Sequence, residues 1–239
     1  MNSFVMEIAG FVFAVEPLFG STQAYCAEYL TDREPEYAIR VSRNDLVREQ
    51  ELLNIEADEE RLKRRKFTDM FLERSVIQRR VAELLIHQNV ILMHGSTVAV
   101  DGKAYLFTAG CGTGKSTHTQ LWREVFGDRA IMVNDDKPFL RFEQDGVYAY
   151  GSPWTGKHGR GSNIKARLQG ICVLRRGPEN VIRRADPVDF LDFIRHQCFL
   201  TDEAHELVLE LISRVPLWEM ECNKEPEAAR VAFAAMSNV

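Results

Sequence analysis

Between an apolar run ending at Thr108 and a helical pattern beginning near Lys115, the chain reads Ala109-Gly110-Cys111-Gly112-Thr113-Gly114-Lys115-Ser116-Thr117. No other stretch limits the fold as much. A strand that enters a glycine-rich turn and leaves as a helix is an α/β unit, and Gly-Lys-Ser at that junction is a phosphate-binding pattern. Glycines let successive backbone N–H groups turn inward as a nest for phosphate oxygens. The first turn of the helix adds partial positive charge. Gly110, Cys111, Gly112, Thr113, Gly114, Lys115, Ser116 and Thr117 are therefore expected to hold a nucleotide, ATP, by its phosphates. Lys115 can reach the β- and γ-phosphates, and the Ser116 hydroxyl can ligate Mg²⁺. Ala109 stands where the pattern usually has glycine, with Gly110 and Gly112 compensating in part. Cys111 reads as a small loop-filling residue, or as a thiol activated by the helix terminus.

An apolar strand, Ala130 to Val133, ends in Asn134-Asp135-Asp136. Carboxylates there would lie beside the phosphate loop, where metal-holding aspartates of such proteins sit. Two adjacent aspartates can divide labour: one, Asp135, takes a proton from an attacking hydroxyl, and the other, Asp136, joins Ser116 at Mg²⁺. The sequence does not decide which aspartate does which. Residues 151–184 carry eight basic residues (Lys157, Arg160, Lys165, Arg167, Arg175, Arg176, Arg183 and Arg184) and a single acid, Glu179. Gly156, Gly159 and Gly161 make 156–162 a mobile stretch, and a mobile basic loop can close over phosphates. Lys157, His158 and Arg160 are its candidates for contact with the γ-phosphate or an anionic substrate. Arg175-Arg176 and Arg183-Arg184 flank an expected hairpin and read as surface charge. Trp154 can stack on a ring or anchor the loop.

The 239 residues are 45% apolar, enough for a sizeable core. Thirty basic against 35 acidic residues give a net charge of −5, which argues against a nucleic-acid binder. The longest apolar stretch, Ile8 to Val15, is about half what a membrane helix needs. No basic leader precedes it, and five scattered cysteines without a Cys-x-x-Cys pair suggest neither a disulfide framework nor zinc. A cytoplasmic protein with no membrane partner is the expectation. Residues 1–89 read as a β-rich and helical part: strands near Phe4–Ile8, Phe11–Val15 and Glu36–Val41, then helices from Ser42, whose partner Asp45 stands in a capping-box position. The basic run Arg61 to Lys66 reads as a solvated helix face, and Phe67, Phe71, Val76, Ile77, Val81, Leu84 and Leu85 as a core stripe. Residues 90–239 mix strand–helix alternation with hairpins, so the expected architecture is α/β with a mixed sheet.

Gly112 to Thr117, with Asp135-Asp136 following, resembles the phosphoenolpyruvate carboxykinase and HPr kinase superfamily, its HPr kinase-like branch most closely. His94-Gly95, the strand Lys103–Thr108 and Val133–Asp136 resemble that branch's kinase domain. Gly151-Ser152-Pro153-Trp154-Thr155-Gly156-Lys157 is similar to a Gly-x-Pro-Trp-x-Gly-Lys feature of its small members, some of which sit among peptide-modifying genes. The resemblance covers 90–239 and implies a P-loop core of that type. It implies an ATP-dependent phosphotransferase using Mg²⁺, with His94 near the transferred phosphate. The catalytic set is then Asp135, His94, Lys157 and Arg160. The acceptor is a hydroxyl on a peptide or on a small molecule; an open groove or strand edge would favour the first, a closed pocket the second. HPr itself is not expected as substrate, because the Gly-Leu-Gly-rich stretch of HPr kinases is missing. Decarboxylation is not expected, and no Asn-Lys-x-Asp guanine motif is present. The rival from another class is a non-catalytic ATP-binding sensor. Relatives often form oligomers, which leaves a homo-oligomer open.

Overall fold

The structure, a computed structural model, describes residues 3–59, 62–199 and 202–238. The chain divides into two compact units, 1–84 and 85–239.

In the first unit β1 (Phe4–Ile8) and β2 (Phe11–Glu16) form a hairpin. Ala9 and Gly10, at φ 52° and 86°, both take the positive φ that a two-residue hairpin turn demands. A short helix α1 (Ser21–Tyr25) follows, and β3 (Tyr37–Arg40) joins β2 in parallel. Two long helices come next, α2 (Arg43–Glu59) and α3 (Asp69–Ile86). Asp45 Oδ2 accepts from the Ser42 N–H and hydroxyl, each at 2.7 Å, so the expected box closes the start of α2. Inside the unit the buried Glu73 carboxylate accepts from Leu18 N–H, Phe19 N–H and the Thr22 hydroxyl. Buried Glu49 takes a two-pronged bond from Arg79 at 2.8 and 3.1 Å.

Two sequence expectations fail here. The basic run is not a helix face: residues 62–66 are exposed irregular chain, with Arg64 paired to Asp58, and Arg61 lies outside the described residues. The core stripe holds for Val76, Ile77, Val81 and Leu85, but Phe71 is 45% exposed, stacked on Phe67 at the helix entrance.

The second unit is a nine-stranded mixed sheet with helices on both faces. Its strands are β4 (Val90–Leu92), β5 (Ser96–Val100), β6 (Lys103–Thr108), β7 (Ala130–Asn134), β8 (Phe139–Glu143), β9 (Gly146–Tyr150), β10 (Lys165–Arg176), β11 (Val181–Arg184) and β12 (Leu217–Cys222). The order β4-β8-β9-β10-β6-β5-β7 carries β12 beside β10 and β11 beside β12. Among the described residues, β6–β10 and β10–β12 are the parallel pairs of this sheet. The helices are α4 (Lys115–Phe126), α5 (Pro187–Gln197), α6 (His205–Arg214) and α7 (Glu227–Met236).

Alternate strand residues face opposite layers. Ala104, Leu106, Ile171 and Val173 join Phe190, Ile194, Val208 and Leu211 of α5 and α6. Tyr105, Phe107, Cys172 and Leu174 join Leu121 and Trp122 of α4 and Ala228, Ala229 and Ala232 of α7. Trp122 is fully buried, with ring centroids of Tyr105 at 4.8 Å, Phe107 at 5.2 Å and Phe233 at 5.7 Å, and this cluster clamps α4 onto the sheet. The hairpin expected across 175–184 is not formed, because β12 inserts between β10 and β11. Among the described residues no helix is long and apolar enough to cross a membrane.

Candidate phosphate-transfer site

The glycine loop joins the end of β6 to the start of α4. Gly112 (φ 73°) and Gly114 (φ 123°) take left-handed conformations that side chains resist. Ala109 is 1% exposed with its methyl in the core, which accounts for a residue other than glycine there. Lys115 Nζ reaches back across the loop to the Ala109 carbonyl at 3.0 Å. Arg176, on the last position of β10, donates Nε to the Thr113 carbonyl at 3.0 Å and Nη2 to the Gly112 carbonyl. It is exposed, as expected of surface charge, and it also straps the loop.

The aspartate pair follows β7. Asn134, fully buried, builds the turn: its Oδ1 accepts from Asp136 N–H at 2.8 Å and Lys137 N–H at 2.7 Å. Its Nδ2 donates to the Ser152 hydroxyl at 2.9 Å and carbonyl at 3.2 Å, and the Ser152 hydroxyl donates to the Lys137 carbonyl at 3.0 Å. One amide thus ties the Gly151–Trp154 segment to the pair. Asp135 is 6% exposed, and its Oδ1 accepts from the Ser96 hydroxyl at 2.7 Å. With that proton used, Ser96 accepts from the Thr119 hydroxyl of α4 at 2.7 Å. Two hydroxyls therefore link Asp135 to α4, the helix behind the glycine loop.

Asp136 is more open, with 34% of its side chain exposed and His94 Nε2 at 3.5 Å from its Oδ1. Partial burial pushes the Asp136 carboxyl up; Lys137 and Lys115 oppose that and Asp135 adds to it. Burial, then Lys115 and Lys137, holds the His94 imidazole down to about 4, so it is neutral at pH 7. Asp135, Asp136, His94 and Lys115 thus meet in one electrostatic cluster, with Lys137 as a member that the sequence did not suggest.

No family model matches this chain, and no curated protein matches it. Among solved structures it is similar to the HPr(Ser) kinase/phosphatase from Coxiella burnetii, at 12% identity over 61% of this chain and 92% of that one, with a TM-score of 0.37. A likeness of that size does not establish a shared fold.

The loop after Trp154 lies on the pair. Trp154 is buried edge-on against Phe139 at 6.3 Å, an anchor rather than an open stacking face. Gly156 sits at φ 68°, and a Cβ there would come within 2.9 Å of Asp136 Cβ. Residues 160–162 pair with the end of β7, through Asp135 N–H to the Arg160 carbonyl at 3.0 Å and Ser162 N–H to the Val133 carbonyl at 3.3 Å. Arg160 turns its guanidinium to Gln120 on α4, at 2.7 Å. Lys157 and His158 are exposed on the turn, and Cys111 is exposed on the glycine loop.

Among the described residues no group of three or more His, Cys, Asp or Glu is arranged to hold a metal. The oxygen donors available, Ser116 and the two carboxylates, suit a hard cation that completes its shell with water and phosphate. Sequence reasoning missed Ser96, Thr119, Asn134, Lys137 and Arg176. Only Asn134 carried a local signal, as an Asx residue opening a turn.

Proposed function

We propose that the chain is an ATP-dependent kinase of the HPr kinase-like type, with a P-loop core, that transfers the γ-phosphate to a hydroxyl. One observation carries the reading: one carboxylate of the pair is bonded through the Ser96 hydroxyl to Thr119 on the helix that follows the glycine loop. The loop N–H groups and Lys115 hold the phosphates. Ser116 and Asp135 would hold Mg²⁺, which supplies charge neutralisation on the phosphates.

Asp136 is the base. It is the exposed member of the pair, and burial raises its carboxyl, the direction that favours taking up a proton. Asp135, buried and already bonded to Ser96, suits the fixed metal side. This reverses the order first expected for the two. The acceptor oxygen bonds the γ-phosphorus as its proton passes to Asp136. The bond from that phosphorus to the bridging oxygen breaks, its electron pair staying with ADP. Neutral His94 flanks Asp136, its Nε2 at 3.5 Å from Oδ1.

The test uses ATP labelled on the γ-phosphate, Mg²⁺ and a cell extract split into peptide and metabolite fractions. Asp136→Asn should retain ATP affinity and lose transfer by about 10³-fold. Transfer by Asp136→Asn at near the parent rate would overturn its role. Firm ATP binding with no transfer to either fraction would leave a nucleotide sensor instead.

A further inference from the structure

Two arginines near the site are drawn together without an acid between them. Arg160 Nη1 donates to Gln120 Oε1 at 2.7 Å, and Arg123 Nη1 donates to the same oxygen at 3.2 Å. Gln120 is held in turn by its Nε2 bond to Glu124 at 3.1 Å. Among the described residues neither guanidinium pairs with a carboxylate. Two like charges converging on one neutral oxygen repel each other, and each keeps further N–H donors unused. An anion between them relieves the repulsion and takes up those donors.

The pair faces a particular place. Ser116, Gln120 and Arg123 lie on one face of α4, at spacings of four and three. Across from them runs β7, the last strand of the sheet order, with β5 as its strand neighbour. An antiparallel bridge from Asn134 to Gly161 already occupies the end of that edge. Beyond the bridge a groove of about 540 Å³ opens, lined by Arg123, Asp128, the stretch Ala130–Met132 and the stretch Gly159–Ser162. Ile131 is 47% exposed in it. The groove is open and borders a strand edge, the form that suits an extended chain rather than an enclosed metabolite. At one end of that edge stand Asp135 and Asp136.

We infer that this groove binds the acceptor as an extended peptide added along β7, with a peptide carboxylate on Arg123 and Arg160 and the hydroxyl residue directed to Asp136. The inference rests on the kinase reading for the hydroxyl but not for the carboxylate. Residues 160–162 give the precedent, since they pair antiparallel with the same edge one step nearer the aspartates. Arg123 is a positioning residue and touches no reacting atom.

A pool of end-blocked octapeptides with a central serine, degenerate elsewhere, is passed over the immobilised full chain without nucleotide, and the retained pool is sequenced. Asp and Glu should be enriched about tenfold at one fixed offset from the serine. Arg123→Gln should abolish that enrichment, and Arg123→Glu should turn it toward Lys and Arg. Arg123 is exposed on α4, so both variants should melt with the parent. Backbone N-methylation of an enriched peptide should weaken binding at alternate positions only. Absence of acidic enrichment, its survival in Arg123→Gln, or equal weakening at every methylated position would overturn the inference. So would saturation of the arginines by succinate with no peptide selected, which would assign them to a small dicarboxylate. Acidic selection by a chain that never transfers phosphate would sink the kinase reading and leave the peptide groove standing.

Discussion

Gly156→Ala and Gly159→Ala form a matched pair that asks whether the loop works by resting on Asp136. Both glycines have left-handed backbones, at φ 68° and 60°. An alanine in either place costs about 1–2 kcal/mol of backbone strain. They differ in surroundings. The new Cβ at 156 would lie 2.9 Å from Asp136 Cβ and 3.2 Å from its Cγ, whereas the one at 159 meets nothing within 4 Å. Carbon atoms settle at about 3.5–4.0 Å, so Asp136 or the loop must yield by roughly 0.5–1 Å. A displacement of about 1 Å at a reacting group is worth on the order of 10²-fold in rate. The assay is kcat for phosphate transfer, with nucleotide affinity and melting temperature measured on the same samples. Both variants should lose similar stability and keep nucleotide affinity. Gly156→Ala should lose about 10²-fold in kcat, and Gly159→Ala should stay within about threefold of the parent. Equal kcat values for the two would refute the reasoning, because strain alone would then explain the loss.

Arg176→Ala removes the strap on the Gly112 and Thr113 carbonyls. Nucleotide affinity by calorimetric titration should fall about three- to tenfold with the melting point unchanged, in line with exposed hydrogen bonds of about 0.5–1.5 kcal/mol. Ser96→Ala leaves the buried Asp135 oxygen without its donor. Urea unfolding should show a loss of about 1.5–3 kcal/mol, and a loss under about 0.5 would remove Ser96 from the site's framework. His118 is 2% exposed and held by burial down to about 4 from an ordinary 6.5. Its neutral form contributes stability in full above pH 6.5, and that contribution falls as pH drops toward 4, because the unfolded chain protonates first. The change is on the order of 3 kcal/mol, and unfolding curves for His118→Gln should show a flatter slope across that window.

The segment from Lys103 to Asp136 was the most readable part of the chain. Strand, glycine turn and helix succeed one another there with local signals at each junction, and α4 runs over the residues expected of it, Lys115–Phe126. The mixed sheet was legible because Asp101-Gly102 and Asp145-Gly146 announce hairpins among the helices. What stayed hidden was set by pairing between distant strands. β12 lies parallel to β10, and nothing near Arg176 or Arg183 announces a strand that arrives more than thirty residues later between them. Arg176 therefore read as surface charge. Ser96 and Thr119 were equally silent, because a hydroxyl in an apolar strand and another inside a helix acquire meaning only when the fold brings both to Asp135. The run at 61–66 misled for the opposite reason: its composition suits a helix, yet the described part of it is irregular.

The placement of β10 bears on how parts of the second unit open in time. From Ile171 to Val173 the strand is paired on both edges, with β6 and with β12, so the amides of those residues have no route to solvent short of separating the sheet. Their deuterium uptake should report whole-unit unfolding. The turn at Gly156–His158 hangs from far fewer bonds and should exchange through small local openings at much lower cost. A chain built this way can open and close at that turn many times within the lifetime of a single exchange event at its centre.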